Sequence, residues 1–213
     1  MPNRDLHHMR ESYEASFLLE ENCHKDPFHQ FDEWFHHAIH LKVIEPNAMT
    51  LATVGDDGQP SARIVLLKSF SKQGFIFYTN YESRKGKQMK HNDKVALLFW
   101  WGERQVRIEG KVKKVSRAAA DTYFHARPKG SQIGALASPQ SKVIGNRELL
   151  EANYKELEKK YKGKVVPLPD TWGGYIVAPE LFEFWQGRVS RLHDRIQYTK
   201  ETKGKWKMER LAP

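Results

Sequence analysis

Between residues 49 and 115 the chain alternates short apolar runs with glycine-bearing turns, and this punctuation limits its fold more than any other feature. Segments 49–54 and 61–68 flank Gly55-Asp-Asp-Gly58, segment 75–79 follows Lys72-Gln-Gly74, and segments 95–101 and 104–115 flank Gly102-Glu103. Glycine reaches the positive φ of tight turns at no steric cost, so apolar runs joined this way pair with their sequence neighbours as antiparallel hairpins. Later runs at 174–177, 183–186, 192–199 and 206–210 predict further strands. Helices are fewer. Asp26 as N-cap and Pro27 in the first helical position start one whose buried stripe is Phe28, Phe31, Phe35, Ala38 and Ile39. Ser83 caps a short helix over 83–92, and Ser116 caps one that runs to Arg127, where Pro128 ends it. Weaker helical signals cover 131–137 and a longer helix covers 147–160. Many antiparallel strands with few helices predict a mainly β, α+β chain, a β-barrel carrying peripheral helices.

The 213 residues suffice for one sizeable core, and no Pro/Gly/Ser-rich linker divides them. Residues 26–213 are therefore expected to form a single domain, preceded by a polar arm, 1–25, that is mobile or orders late and whose apolar anchor is Phe17-Leu-Leu19. A lone cysteine, Cys23, excludes an internal disulfide and suits a reducing cytosol. No apolar run approaches the ~20 residues of a membrane span and no signal-peptide core is present, so the expectation is a cytoplasmic protein without a membrane partner. The formal charge of +9 favours anionic ligands. Because the basic residues are spread among strand and helix ends, small phosphorylated molecules are favoured over nucleic acid. Neither Gly-x-Gly-x-x-Gly after a strand nor a Gly-Lys-Ser/Thr phosphate loop occurs, which argues against Rossmann and P-loop enzymes.

Several clusters suit such ligands. In Phe184-Glu-Phe-Trp-Gln-Gly-Arg-Val-Ser-Arg191-Leu-His193-Asp-Arg195 an extended chain would project Arg191, His193 and Arg195 from one face and Leu192 and Asp194 from the other. Two guanidiniums and an imidazole make a receptor for an anionic aromatic molecule, although a solvated strand face has the same composition. Arg63-Ile-Val-Leu-Leu-Lys68 reads as a buried strand ending in lysine, with Arg63 and Lys68 on opposite faces. Tyr123 and Arg127 share a helix face, and Ser131 is placed to cap the next helix, so a phenol, a guanidinium, a hydroxyl and helix-terminal amides can converge on one phosphate. Ser83-Arg84-Lys85 opens a helix where amides and two cations can meet a second one. His36, His37 and His40 lack a carboxylate or cysteine in metal-site spacing, so no metal is expected.

Taken in order with Tyr78-Thr-Asn-Tyr-Glu-Ser83, Tyr123-Phe-His-Ala-Arg127-Pro-Lys-Gly-Ser131-Gln-Ile-Gly, Pro139-Gln140-Ser141 and Trp185-Gln-Gly, these motifs resemble the pyridoxine/pyridoxamine 5′-phosphate oxidase family, from about Met9 to Pro213. The resemblance implies an FMN-binding split β-barrel and a homodimer with FMN at the subunit interface. It further implies oxidation of pyridoxine 5′-phosphate and pyridoxamine 5′-phosphate to pyridoxal 5′-phosphate, with dioxygen as acceptor giving hydrogen peroxide. Lys68, Tyr123, Arg127 and Ser131 would hold the substrate phosphate. Arg191 and His193 would be the catalytic pair on the pyridine ring, with Arg10 and Tyr13 supplying a lid from the arm. Flavin binding would fall to Arg63, Ile64, Val65, Leu66, Leu67, Lys68, Tyr78, Thr79, Arg84, Lys85, Gln105, Gln140, Ser141, Trp185 and Arg195, although Trp185 also reads as a core aromatic. Two rivals stand beside this reading. One is a related FMN oxidase of another ring, such as a phenazine precursor, which would not need the phosphate clamp. The other is a non-catalytic flavin- or nucleic-acid-binding barrel.

Overall fold

The structure, a computed structural model, describes Tyr13 and residues 17–213. In chain order the described elements are α1 (Pro27–His40), β1 (Ala48–Val54), β2 (Pro60–Leu66), β3 (Ser69–Ser71), β4 (Gly74–Asn80), α2 (Arg84–His91), β5 (Lys94–Trp101) and β6 (Arg104–Lys114). They continue with α3 (Arg117–Ala126), α4 (Lys129–Ala137), α5 (Arg147–Lys160), β7 (Trp172–Gln186), β8 (Asp194–Lys200) and β9 (Trp206–Leu211). All strands join one sheet in the order β2-β1-β5-β6-β7-β4-β3, with β8 pairing both β7 and β9. The chain is mainly β with helices between strands. It divides into two compact units: Met1–Pro46 with Leu98–Ile108 and Glu180–Pro213, and Asn47–Leu97 with Glu109–Pro179.

In the first unit, the Asp26 carboxylate accepts the Phe28 amide at 3.0 Å and Pro27 opens α1. Its buried face is Phe28, Phe31, Trp34 and Ala38. Phe31 packs on Phe99 and Trp101, Trp34 on Phe184, and Phe28 on Phe182, with ring centroids 5.0–5.7 Å apart. The expected stripe is thus corrected: Phe35 is only half-buried and Ile39 is 49% exposed, because steps of three, three and four place Trp34 on the packed face. The C-terminal strands are tied to the segment before α1. Tyr198, fully buried, donates its hydroxyl to the His24 carbonyl at 2.7 Å. Arg210 reaches the Leu18 carbonyl and both Glu20 carboxylate oxygens at 2.7–2.8 Å, and Leu18 itself is buried.

Two expectations about the late strands are overturned. Segments 174–177 and 183–186 are one strand, β7, which pairs with β4 as far as Val177 and with β8 from Leu181. The change of partner falls at Pro179, which has no amide to donate and so leaves the ladder there undamaged. The strand expected over 192–199 begins at Asp194. Val189–Arg191 form a 3-10 turn instead, with Ser190 and Arg191 at φ 55° and 61°. Arg191 and His193 therefore do not share a strand face with Arg195, and the alternation argument fails for them.

In the second unit, β1 and β2 pair from Ala48↔Leu66 to Val54↔Pro60 around the Gly55-Asp-Asp-Gly58 turn, where Gly58 supplies φ 76°. Strand β2 stops at Leu66, so Lys68 lies beyond it and the opposite-face argument for Arg63 and Lys68 does not apply. The short β3, which the sequence reading missed, pairs with β4 through Phe70↔Phe75. Ser83 caps α2 by accepting the Gly86 amide. A side chain at Gly86 would put its Cβ 2.2 Å from the Tyr81 carbonyl oxygen, so only glycine lets the helix start lie this close to the preceding turn. Ser116 caps α3 through the Ala119 amide at 3.1 Å, and Arg127 leaves the helix with ψ 151°, as a residue before proline must. Helix α4 starts at Lys129 after Pro128, so Ser131 lies inside its first turn and does not cap it. The core beneath these helices is Phe124, Ile133, Val166 and Trp172.

Candidate active site

A cavity of about 660 Å³ opens in the second unit, lined by β2, β4, α2, α3 and α4 and the turns after them. Lys68, Lys85 and Arg127 reach its wall, and among the described residues no carboxylate does. Tyr78 on β4, Tyr123 on α3 and Trp172 on β7 form one of its sides as a parallel stack. The Tyr78 and Tyr123 centroids are 3.9 Å apart, and Trp172 lies 5.5 Å from Tyr78 at 13°. The Arg127 guanidinium sits 4.7 Å from the Trp172 ring and donates one Nη2 proton to the Ser131 carbonyl at 3.0 Å. Its Nη1 is buried with no hydrogen-bond partner among the described residues, and burial pushes the guanidinium below its ordinary pKa. An enclosed donor of this kind costs stability unless an acceptor arrives.

The second cationic position is Lys85, in the first turn of α2. Its ammonium lies 3.3 Å from both Thr79 Oγ1 and Gln140 Oε1, and Thr79 donates to Gln140 at 3.1 Å. Burial, and then the nearby Arg63, hold Lys85 below its ordinary pKa. Cations kept close together at a helix N-terminus fit a phosphate dianion.

Of the residues assigned from the sequence, Ile64, Val65, Leu66, Lys68, Tyr78, Thr79, Lys85, Tyr123, Arg127, Ser131 and Gln140 are brought together at this cavity. Four others in this unit are placed elsewhere. Arg63 has its fork engaged by the Leu51 carbonyl, Thr53, Ser61 and Gln88, at 2.6–3.4 Å, and helps to hold the β1–β2 hairpin against α2. Leu67 is buried, and its backbone pairs with Asn47. Arg84 and Ser141 line a second cavity, of about 450 Å³, together with Asp56, Asp57 and Glu82.

The remaining assigned residues belong to the first unit. Trp185 faces His193 with centroids 4.6 Å apart, and Tyr13 stands edge-on to both rings at 6.0 and 6.2 Å. Trp185 is only half-buried, so the core-aromatic alternative does not describe it. Burial, with Arg191 beside it, holds the His193 imidazole below its ordinary pKa. Arg195 lies opposite Trp185 in the β7–β8 ladder and donates to Glu183 at 2.9 Å and to the Ala212 carbonyl at 2.8 Å. Gln105 is half-buried on β6 and Arg191 is exposed on its turn. Arg10 lies outside the described residues.

The sequence reading missed two residues that shape these sites. Trp172 closes the aromatic stack, but it precedes Gly173-Gly174, where apolar periodicity breaks, and the strand expected from the sequence begins only at residue 174. Glu183 is 3% exposed and bridges Arg107 and Arg195, and an acidic residue within an aromatic strand was a legible signal of such a pair.

Residues 35–161 match the family described as pyridoxamine 5′-phosphate oxidase, and residues 172–213 match the pyridoxine 5′-phosphate oxidase C-terminal dimerisation region. Proteins named pyridoxine/pyridoxamine 5′-phosphate oxidase from Bordetella petrii and Acaryochloris marina are 56% and 54% identical over 207 residues. These alignments cover 96% of this chain and 98% and 94% of those proteins. Among solved structures, PhzG from Burkholderia lata 383 in complex with tetrahydrophenazine-1-carboxylic acid superposes with a TM-score of 0.88 at 29% identity, covering 95% of this chain and all of that one. A pyridoxamine 5′-phosphate oxidase-related, FMN-binding protein from Nostoc punctiforme superposes with a TM-score of 0.69 at 16% identity, a likeness of fold. The fold is the split β-barrel expected from the sequence, and the chain belongs to the pyridoxamine 5′-phosphate oxidase family.

Proposed function

We propose that this protein is an FMN-dependent oxidase that converts pyridoxine 5′-phosphate and pyridoxamine 5′-phosphate to pyridoxal 5′-phosphate, acting as a homodimer. One observation carries the reading: among the described residues, three cations and a stacked aromatic side surround a cavity to which no carboxylate contributes, and one guanidinium nitrogen there is buried and unpartnered. A phosphorylated aromatic ring meets each of those needs. Lys68, Tyr123, Arg127 and Ser131 hold its phosphate, with Arg127 as the bidentate partner. Lys85 with Thr79 and Gln140 serves the FMN phosphate. Gln105, Trp185 and Arg195 serve the flavin from the dimer partner, two of them lying in the dimerisation region. FMN, when bound, supplies the acceptor for the hydride leaving C4′, and dioxygen then takes the electrons to give hydrogen peroxide. The protein supplies position. Two phosphate clamps hold both reactants in a reactive geometry, and Arg191 and His193 orient the pyridine ring.

The second reading, oxidation of an unphosphorylated phenazine precursor, is favoured by the likeness to PhzG. Against it stands the cation set, whose charge the single carboxylate of such a ring would match less fully than a phosphate dianion. Peroxide production should be followed with phosphorylated and unphosphorylated B6 vitamers and with a dihydrophenazine carboxylate. Turnover confined to the phosphorylated vitamers is expected, and turnover of the phenazine alone would replace the proposal with its rival.

A further inference from the structure

Between β7 and β8 the chain curls back on itself. Ser190 and Arg191 both take left-handed backbone angles, and the Leu192 amide donates to the Val189 carbonyl at 3.1 Å. The curl brings His193 over the start of its own loop, where the Arg188 backbone N–H donates to His193 Nδ1 at 3.1 Å. A backbone amide has only a proton to offer, so Nδ1 must present its lone pair. A neutral imidazole arranged this way carries its proton on Nε2.

We propose that this loop fixes His193 as the neutral Nε2–H tautomer, so that the side chain serves the oxidation as a hydrogen-bond donor and not as the acceptor of the substrate proton. The inference rests on the oxidase reading above. Oxidising pyridoxine 5′-phosphate breaks the C4′–H bond, whose electron pair leaves with hydrogen as hydride to the flavin, and C4′=O forms as the hydroxyl proton departs. A base at Nε2 needs its lone pair there, which places the imidazole proton on Nδ1 against the Arg188 N–H, two donors facing one another at 3.1 Å. The cationic form meets the same clash and adds charge beside Arg191 and Arg188. The adjoining carboxylate, Asp194, is engaged by the Leu18 amide and Arg210 at 3.1 and 2.7 Å. The ring is further held by Trp185 and Tyr13. His193 therefore donates to a substrate oxygen, and the hydroxyl proton passes to water.

The test uses the FMN-loaded protein. Nitrogen-15 NMR of labelled histidine should show a neutral His193 with its proton on Nε2, and a proton on Nδ1 would overturn the proposal. His193→Gln, whose amide N–H₂ takes roughly the place of Nε2–H, should keep kcat within about tenfold of the parent. A drop of roughly 10²–10⁴, the usual effect of removing a general base, would also overturn it. His193→Ala should turn over about tenfold more slowly than His193→Gln, as expected for loss of one hydrogen bond of ~1.4 kcal/mol, and equal turnover would refute the donor role. A parent protein inert towards both phosphorylated vitamers would sink the oxidase reading alone, because the tautomer measurement does not depend on turnover.

Discussion

Arg127 gathers several kinds of interaction on one side chain: a carbonyl for one Nη2 proton, the Trp172 ring 4.7 Å away, and a buried Nη1 without a partner among the described residues. On the proposed function, replacing it with alanine removes a charge-assisted bond to the substrate phosphate worth roughly 1.5–3 kcal/mol. KM for the phosphorylated vitamer should rise about ten- to a hundredfold, with FMN content, read by flavin absorbance, scarcely changed. Lys85→Ala should do the reverse, lowering flavin occupancy while leaving KM of the remaining holoenzyme intact. Loss of flavin from Arg127→Ala with unchanged KM would exchange the two anion sites. Lys85 also sets a pH dependence. Its pKa lies below the ordinary lysine value, so its charge is lost earlier as pH rises, and FMN affinity should weaken on the alkaline side. Fluorescence titration of FMN should find that slope flattened in Lys85→Arg, whose guanidinium stays charged.

At the scale of elements, two polar assemblies hold the C-terminal strands. Glu183 on β7 is a buried carboxylate between Arg107 on β6 and Arg195 on β8. Burial pushes its pKa up, but the bonds from Arg195 and Arg107 outweigh that and hold it below the ordinary value. Glu183→Ala would remove the buried carboxylate that both arginines share, an effect of roughly 3–5 kcal/mol for a buried ion pair. Because both arginines keep some access to water, the lower end is expected in chemical denaturation, and an unchanged midpoint would contradict the pairing. The other assembly joins Arg210 on β9 to Glu20 and Asp194, and the Arg210 hydrogen bond draws the Glu20 carboxyl down to about 2. A depressed carboxylate stabilises the fold above its unfolded pKa, and that share is lost as pH falls towards 2. The pair is largely solvent-exposed, so its worth is about 0.2–1 kcal/mol. Thermal unfolding of the parent and Glu20→Gln should differ near neutrality and converge in acid; a gap that widened in acid would have the wrong sign.

For the whole molecule, the match of residues 172–213 to a dimerisation region bears on the site itself. The cavity lined by Lys68, Lys85 and Arg127 belongs to one compact unit, and Trp185, His193 and Arg195 to the other. A partner chain that contributes the second set would make flavin retention depend on dimerisation. Sedimentation at micromolar concentration should find a species of twice 24.9 kDa, with flavin lost on dilution to monomer. A monomer that keeps its flavin would exclude the shared site. Among the described residues, no helix is long and apolar enough to cross a membrane.

What the sequence determined by itself was local. The Asp26, Ser83 and Ser116 caps, the Gly55-Asp-Asp-Gly58 hairpin and helix α5 were legible because each depends on residues within four or five positions of one another. The motif order carried the family and most of the residues that line the cavity of the second unit. The tertiary structure decided what depends on distant partners. It drew β7 through Pro179 by changing the strand it pairs with, and set Trp34 where Phe35 was expected. It engaged the Arg63 fork inside the hairpin, placed Trp172 beneath Arg127, and turned His193 out of a strand register onto the amide of Arg188. Period and capping follow from backbone geometry a few residues long, whereas the direction of a side chain follows from which neighbours the folded chain brings within hydrogen-bonding or packing distance.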